Sequence, residues 1–106
     1  MKSPLLPCSA IALLLAIAAP AARADETLAR QRNCMACHTV ERKVVGPAFK
    51  AVAAKYAGQK GMADVLARKI RQGGGGVWGP VPMPANPQVS EADAKQLAGW
   101  ILGLPH

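Results

Sequence analysis

Apolar residues form one continuous run near the N-terminus and fall at helix-spaced positions over the rest of the chain. The continuous run covers residues 10–19, Ala-Ile-Ala-Leu-Leu-Leu-Ala-Ile-Ala-Ala. After residue 25, apolar side chains recur three and four positions apart, which is the spacing of one face of an amphipathic helix. No segment has the strict alternation of apolar and polar residues that indicates a half-buried strand. The pattern therefore predicts an all-α protein that follows a short apolar segment.

This spacing predicts four short helices, at about residues 26–37, 47–57, 61–72 and 90–102. Pro47 is compatible with the start of the second helix, because the first helical N–H groups have no partner within the helix. Gly58 is expected to end that helix. Ser90, followed three residues later by Asp93, resembles a capping box at the start of the fourth helix.

The N-terminal segment has the order of a secretory signal peptide. Lys2 provides a basic start, the apolar run follows, and Ala22 and Ala24 are the small residues of an Ala-x-Ala cleavage site. The ten apolar residues fall short of the roughly 20 that span a bilayer. We therefore expect cleavage after Ala24, export to the periplasm and a mature domain of residues 25–106, with an uncleaved anchor as the alternative.

With 106 residues the chain has room for a single domain, which excludes TIM barrels and doubly wound nucleotide-binding folds. Cleavage would remove Lys2 and Arg23, lowering the formal net charge from +7 to +5. Aromatic residues make up only 4% of the chain, and domains this small usually need a disulfide, a metal or a cofactor for stability. A cofactor is therefore expected to fill part of the core.

Residues 34–38 read Cys-Met-Ala-Cys-His, which is the Cys-x-x-Cys-His sequence of c-type haem attachment. Thiols three positions apart lie on one face of a helical turn, where Cys34 and Cys37 can both bond to the vinyl groups of one haem. His38 would then face the iron. A structural disulfide, a dithiol redox pair and a zinc site that includes His106 remain the alternatives. The motif and the export signal together favour covalent haem.

An attached haem has a second axial position, and Met83 is the best candidate to fill it. Met35 lies inside the attachment motif, and Met62 belongs to a helix-spaced apolar stripe that is typical of core packing. Met83 lies between two prolines, in a segment where four prolines within eight residues prevent helix formation. A surface loop with a chance methionine is the alternative.

The four glycines at residues 73–76 do not fit a phosphate-binding loop, because no strand precedes them and no Lys-Ser or Lys-Thr follows. We interpret them as a flexible connector that leads into the proline-rich segment. Trp78 comes directly after them. Its indole N–H is suited to a buried haem propionate, and packing of its ring against the haem is the alternative.

The mature region resembles the class I c-type cytochromes, and most closely the bacterial cytochrome c-551 (c8) group. The resemblance covers nearly all of residues 25–106 and rests on the haem motif, residues 45–50, 52–58 and 76–84, and a terminal helix with Trp100. The sequence Gly-Val-Trp-Gly-Pro-Val-Pro-Met-Pro at residues 76–84 is more specific than the haem motif alone. The resemblance implies a small all-α fold with about four short helices around one covalently attached haem.

The same resemblance implies roles for individual side chains. It implies thioether bonds at Cys34 and Cys37 and axial iron ligation by His38 and Met83. Around the haem it implies further contacts: the Pro47 carbonyl accepting the His38 ring N–H, Asn86 near the ligand sulfur, and Trp78 and Lys69 at the propionates.

These features indicate an electron carrier and not an enzyme. His/Met ligation fills both axial positions, and the thioether favours ferrous over ferric iron. We expect a soluble periplasmic monohaem cytochrome that passes one electron between a membrane quinol-oxidising complex and a terminal reductase or oxidase. A haem-ligand-binding sensor or peroxidase-like protein, with a displaceable sixth ligand, is the alternative.

The excess of basic residues suggests the type of partner. A basic rim around the haem edge would steer a redox protein with an acidic docking surface. Nucleic acid is not expected as a partner, because the chain is exported and its aromatic residues are not interleaved with the basic ones. A monomer without stable membrane insertion after signal cleavage is the simplest expectation.

Overall fold

The computed structural model of the chain describes residues 2–5, 12–15 and 21–106. In these ranges the backbone forms four helices: α1 (Ala21–Gln31), α2 (Phe49–Tyr56), α3 (Met62–Gln72) and α4 (Glu91–Leu102). A single turn of 3-10 helix, Cys34–Ala36, lies between α1 and α2. Across the described ranges the only β-type pairing is an isolated antiparallel bridge between Gly74 and Met83. The predicted all-α fold with about four helices is confirmed.

Most of the predicted signal segment lies outside the described residues. Of the apolar run, residues 12–15 are described, and Leu13, Leu14 and Leu15 are exposed there. Helix α1 begins at Ala21, before the expected cleavage position, so cleavage after Ala24 and the division into a signal and a mature domain stay predictions.

Helix α4 is the element against which the other three helices pack. Its buried face contains Ala94, Leu97, Ala98, Trp100 and Ile101. The alanines of this face are fully buried, as is the α1 residue Ala29, and such small side chains allow the helix backbones to approach closely. The core therefore lies along one side of α4.

The first helix ends earlier than the spacing predicts. It ends at Gln31 and not at Cys37, because Asn33 adopts a left-handed conformation with φ of 67°. Asparagine is one of the few non-glycine residues that tolerate this conformation. The two cysteines therefore lie on the separate 3-10 turn and not on α1.

The second helix begins at Phe49, two residues after the predicted start at Pro47. Ala48 is extended, and the N–H groups of Phe49 and Lys50 donate to the carbonyls of Thr39 and Val40 at 2.9 and 3.1 Å. These contacts satisfy helical N–H groups that have no partner within the helix. The start of α2 is thereby attached to the segment that follows the haem motif.

Helix α4 begins as predicted, but only one half of the expected capping box forms. The Asp93 N–H donates to Ser90 Oγ at 3.1 Å. The Asp93 carboxylate accepts hydrogen bonds from Arg32 Nε and Nη2 instead of returning to the Ser90 backbone. This ion pair joins the segment after α1 to the start of α4.

Candidate functional site

An apolar cleft lies between α2, α3 and the loop of residues 74–84. The empty space within it, counted out to open solvent at the mouth, is about 940 Å³. The walls are mostly apolar and include Phe49, Val52, Leu66, Ile70 and Ile101. The cleft therefore suits a large, mainly apolar cofactor.

Of the two cysteines of the motif, Cys37 lines this cleft, and Cys34 lies one turn before it. The N–H groups of Cys37 and His38 donate to the Cys34 carbonyl at 3.2 and 3.1 Å. In a 3-10 turn, side chains three positions apart lie directly above one another, so the spacing of Cys34 and Cys37 places both thiols on the same side. The turn therefore presents two thiols to one edge of a bound group.

Cys34 and Cys37 form no disulfide with each other, and burial raises the pKa of the Cys34 thiol. The reactive thiol of a redox dithiol requires the opposite shift, because the thiolate is its reactive form. This difference argues against Cys34 as the reactive thiol of a dithiol pair.

The His38 ring is held on one wall of the cleft. Its Nδ1 lies 2.8 Å from the carbonyl oxygen of Pro47, and since a carbonyl only accepts, Nδ1 carries the proton. The lone pair is then on Nε2, which is the form that binds a metal. The ring also stacks on Phe49, with a centroid distance of 4.8 Å and an interplanar angle of 20°.

Gly46 covers part of the same ring. A Cβ atom at this position would lie 2.5 Å from His38 Cε1 and 2.9 Å from Nδ1. Only a residue without a side chain fits there. The orientation of the His38 ring is therefore fixed by its contacts with Pro47, Phe49 and Gly46.

A second part of the cleft wall contains Met83, the only one of Met35, Met62 and Met83 that lines it. Its backbone forms both hydrogen bonds of the bridge to Gly74, at 2.7 and 3.0 Å. The structure thus brings His38 and Met83, which are 45 residues apart in the chain, to the same cavity.

Trp78 and Lys69 line the cleft together with Gly74, Gly75 and Gly76, which form its glycine-rich rim. Their contacts with the propionates stay predictions. Lys55 is a residue that the sequence analysis did not single out. Its Nζ lies 5.5 Å from the centre of the Trp78 ring and 5.9 Å from that of Tyr56. Tyr56 is the next residue in the chain. Trp78 is 23 residues away in the sequence and comes close to Lys55 only because the loop folds back.

Asn86 does not line the cleft. Its Nδ2 donates to the carbonyl oxygens of Ile70 at 3.0 Å and Pro84 at 3.2 Å. The expected contact with the sulfur of Met83 therefore stays a prediction. What the structure adds is that Asn86 attaches the end of the loop to α3.

The residues around the cleft fit a haem. Porphyrin nitrogens occupy four positions around iron, so the protein needs to supply only two ligands, and the walls hold one imidazole and one thioether. In the part of the chain that the structure describes, no three His, Cys, Asp or Glu residues group together to hold a bare metal ion. The donor set therefore suits iron within a macrocycle and not an isolated ion.

Comparison with known proteins identifies the family. Residues 23–105 match the family model described as cytochrome c. The chain belongs to the cytochrome c family. It is 60% identical over 83 residues to cytochrome c-552 of Nitrosomonas europaea, covering 78% of this chain and 81% of that protein. It is 51% identical over 104 residues to cytochrome c-551 of Stutzerimonas stutzeri, covering 98% and 99%.

Comparison with solved structures supports the same family. The crystal structure of wild-type Nitrosomonas europaea cytochrome c552 matches with a TM-score of 0.74 at 59% identity, covering 76% of this chain and 99% of that one. The cytochrome is thus of class I, with one covalently bound haem c and a role in electron transport. None of its described helices is long and apolar enough to cross a membrane.

Proposed function

We propose that this cytochrome carries single electrons in the periplasm, between a membrane quinol-oxidising complex and a terminal reductase or oxidase. The observation that carries the proposal is that His38 and Met83 both line one cleft. Two protein ligands on iron leave no axial position for a substrate, as is typical of an electron carrier. The mature protein would be a monomer of residues 25–106, released by cleavage after Ala24.

In this proposal Cys34 and Cys37 form the thioether bonds, and His38 and Met83 are the axial ligands. The haem supplies a one-electron iron couple when bound. The Pro47 carbonyl orients the imidazole and raises the basicity of Nε2 by accepting the Nδ1 proton. The Met83 thioether and the apolar walls favour the ferrous form, since ferric iron carries an additional positive charge.

Trp78, Lys69 and Lys55 support a site for the propionates at the glycine-rich rim. Lys69 lines the cleft, and the Lys55 ammonium lies beside the Trp78 ring. The same cations contribute to the formal charge of +5 of the proposed mature protein, which would attract a redox partner with an acidic docking surface. Val77 and Val81 are exposed at the mouth and suit the small interfaces of transient redox complexes.

Spectroscopy of the exported protein tests the ligand set. We expect a mass gain of one haem, a low-spin ferric spectrum and the near-infrared charge-transfer band of methionine-bound iron. A high-spin ferric form that binds carbon monoxide readily after reduction would overturn the proposal in favour of a ligand-binding sensor or peroxidase-like protein. N-terminal sequencing of the exported protein should begin at Asp25.

Kinetics test the partner. Electron transfer to an acidic redox protein should slow as the salt concentration rises, because salt screens the attraction between charged surfaces. A rate that does not change with salt would contradict the acidic docking surface. It would leave the ligand set unaffected.

A further inference from the structure

The C-terminal end of α3 is joined by four hydrogen bonds to the segment that contains Met83. Two are the reciprocal backbone bonds between Gly74 and Met83, and two come from Asn86, whose N–H donates to Arg71 O at 3.1 Å and whose Nδ2 donates to Ile70 O at 3.0 Å. The carbonyls at the end of a helix have no partner within it. Asn86 therefore satisfies two carbonyls at the end of α3, and the bridge to Gly74 holds Met83 beside that end.

Gly73 lies where this segment comes closest to α3. A Cβ atom at Gly73 would lie 2.5 Å from the Met83 carbonyl oxygen, 2.7 Å from the Ala85 nitrogen and 2.9 Å from the Pro84 carbonyl carbon. All three are backbone atoms, which cannot rotate away as the end of a flexible side chain can. A side chain at residue 73 would therefore displace the segment around Met83.

We propose that Gly73 is a positioning residue for the axial methionine. By having no side chain it lets the backbone of Met83–Ala85 pack against the end of α3, and this packing sets where the Met83 side chain enters the cleft. The proposal rests on the ligand role proposed above for Met83. It assigns a function to a glycine that the sequence pattern presents only as part of a connector.

A purely local role for Gly73 predicts a loss of stability without loss of the Met83 ligand. Gly73 follows α3 with φ of 73° and ψ of −166°, a backbone conformation that is essentially confined to glycine. Any side chain there therefore adds backbone strain to the contact with Met83. Gly58 and Gly61 also have positive φ, 75° and 77°, but a Cβ atom at either would meet nothing within 4 Å. Substitutions there measure the cost of a side chain at positive φ without the contact to Met83.

The test compares Gly73→Asn with Gly58→Asn and Gly61→Asn in the haem-loaded protein. Asparagine tolerates the left-handed conformation of Gly61, but at Gly73 it also strains the backbone, so the measured quantity is the state of the methionine ligand and not stability. We expect Gly73→Asn to lose most of the methionine–iron charge-transfer band and to bind imidazole at the ferric iron about tenfold more tightly, because the open form is more populated. The two controls should keep the band and the wild-type affinity for imidazole.

Equal behaviour of the three variants would overturn the positioning role. A wild-type protein without the charge-transfer band would instead refute the ligand role of Met83, so the two failures are distinguishable. If Gly73→Asn yields no haem-loaded protein, hydrogen exchange on the wild-type protein tests whether the Met83 segment is coupled to the end of α3.

Coupling between two sites is reciprocal, so displacing Met83 with imidazole should speed exchange of the Gly74 and Met83 amide protons. The Gly46 amide proton, on the His38 side, should keep its rate. Unchanged exchange at Gly74 and Met83 would overturn the proposal.

Discussion

The two walls of the cleft are built in different ways. The His38 wall is local: its contacts come from Gly46, Pro47 and Phe49, all within 11 residues of the ligand. The Met83 wall depends on the end of α3 and on a loop closed by a bridge to Gly74. A local wall forms when one short segment folds, whereas the other forms only after distant segments have met.

This difference predicts that the two walls respond differently to damage. Closing a longer loop costs more conformational entropy, and loop segments open more readily than packed helix ends. We therefore expect the Met83 side to open first when the protein is stressed. The His38 side should stay formed until the fold as a whole unfolds.

The largest difference is expected between His38→Ala and Met83→Ala. Loss of His38 should prevent accumulation of haem-loaded protein, while Met83→Ala should still carry covalent haem, with the sixth position open. The reduction potential of Met83→Ala should fall by about 0.1–0.2 V, part of the roughly 0.8 V range that axial ligands span. Absorbance of the purified proteins and potentiometry measure both effects. An unchanged spectrum in Met83→Ala would reject its ligand role.

Gly46→Ala tests how tightly the His38 wall is packed. The new methyl group would lie 2.5 Å from His38 Cε1, so the ring or the backbone must move. Overpacking of this kind usually costs about 1–3 kcal/mol in the free energy of unfolding. Denaturant unfolding of the haem-loaded protein measures the loss.

Gly99→Ala in α4 is the matched control for Gly46→Ala. A Cβ atom there meets nothing within 4 Å, and alanine has the higher helix propensity, so stability should rise by up to about 1 kcal/mol. Similar losses in both variants would show that Gly46 has no special contact with His38.

The sequence predicts the His38 side of the cleft better than the Met83 side, because the contacts of His38 are short-range. The haem motif and the α4 stripe are short-range patterns, and the predicted contact between the His38 ring and the Pro47 carbonyl is observed at 2.8 Å. The sequence pattern does not predict that α1 ends at Gln31. The apolar spacing continues beyond Asn33, whose left-handed backbone stops the helix.

The glycine run shows what local pattern does not reveal. It was interpreted as a flexible connector, and the structure differs for Gly73 and Gly74, which pack against and bond to the Met83 segment. The partner atoms lie nine or more residues away in the chain. Their proximity depends on the fold and not on the composition of the run.

Asn86→Ala tests the attachment of the Met83 wall to α3. It removes the Nδ2 bonds to the Ile70 and Pro84 carbonyls, and losing a hydrogen bond at a partly buried site costs about 0.5–1.5 kcal/mol. Thermal unfolding gives the change in stability. Gln88→Ala, which removes only an exposed contact with Asn86 Oδ1, should have a smaller effect. Equal losses would contradict the attachment.

Lys55→Gln tests the glycine-rich rim of the cleft. Of these substitutions, it should have the smallest effect on stability. An exposed ammonium near an aromatic ring contributes about 0.5–1 kcal/mol, so stability should fall by no more than this. If Lys55 also neutralises a propionate, its loss leaves an unbalanced negative charge that favours ferric iron, and the potential should fall. Lys60→Gln removes the same charge from an exposed position on the loop between α2 and α3 and should leave the potential unchanged. Equal shifts in the two variants would mean that only net charge matters at this rim, and that Lys55 has no contact of its own with the haem.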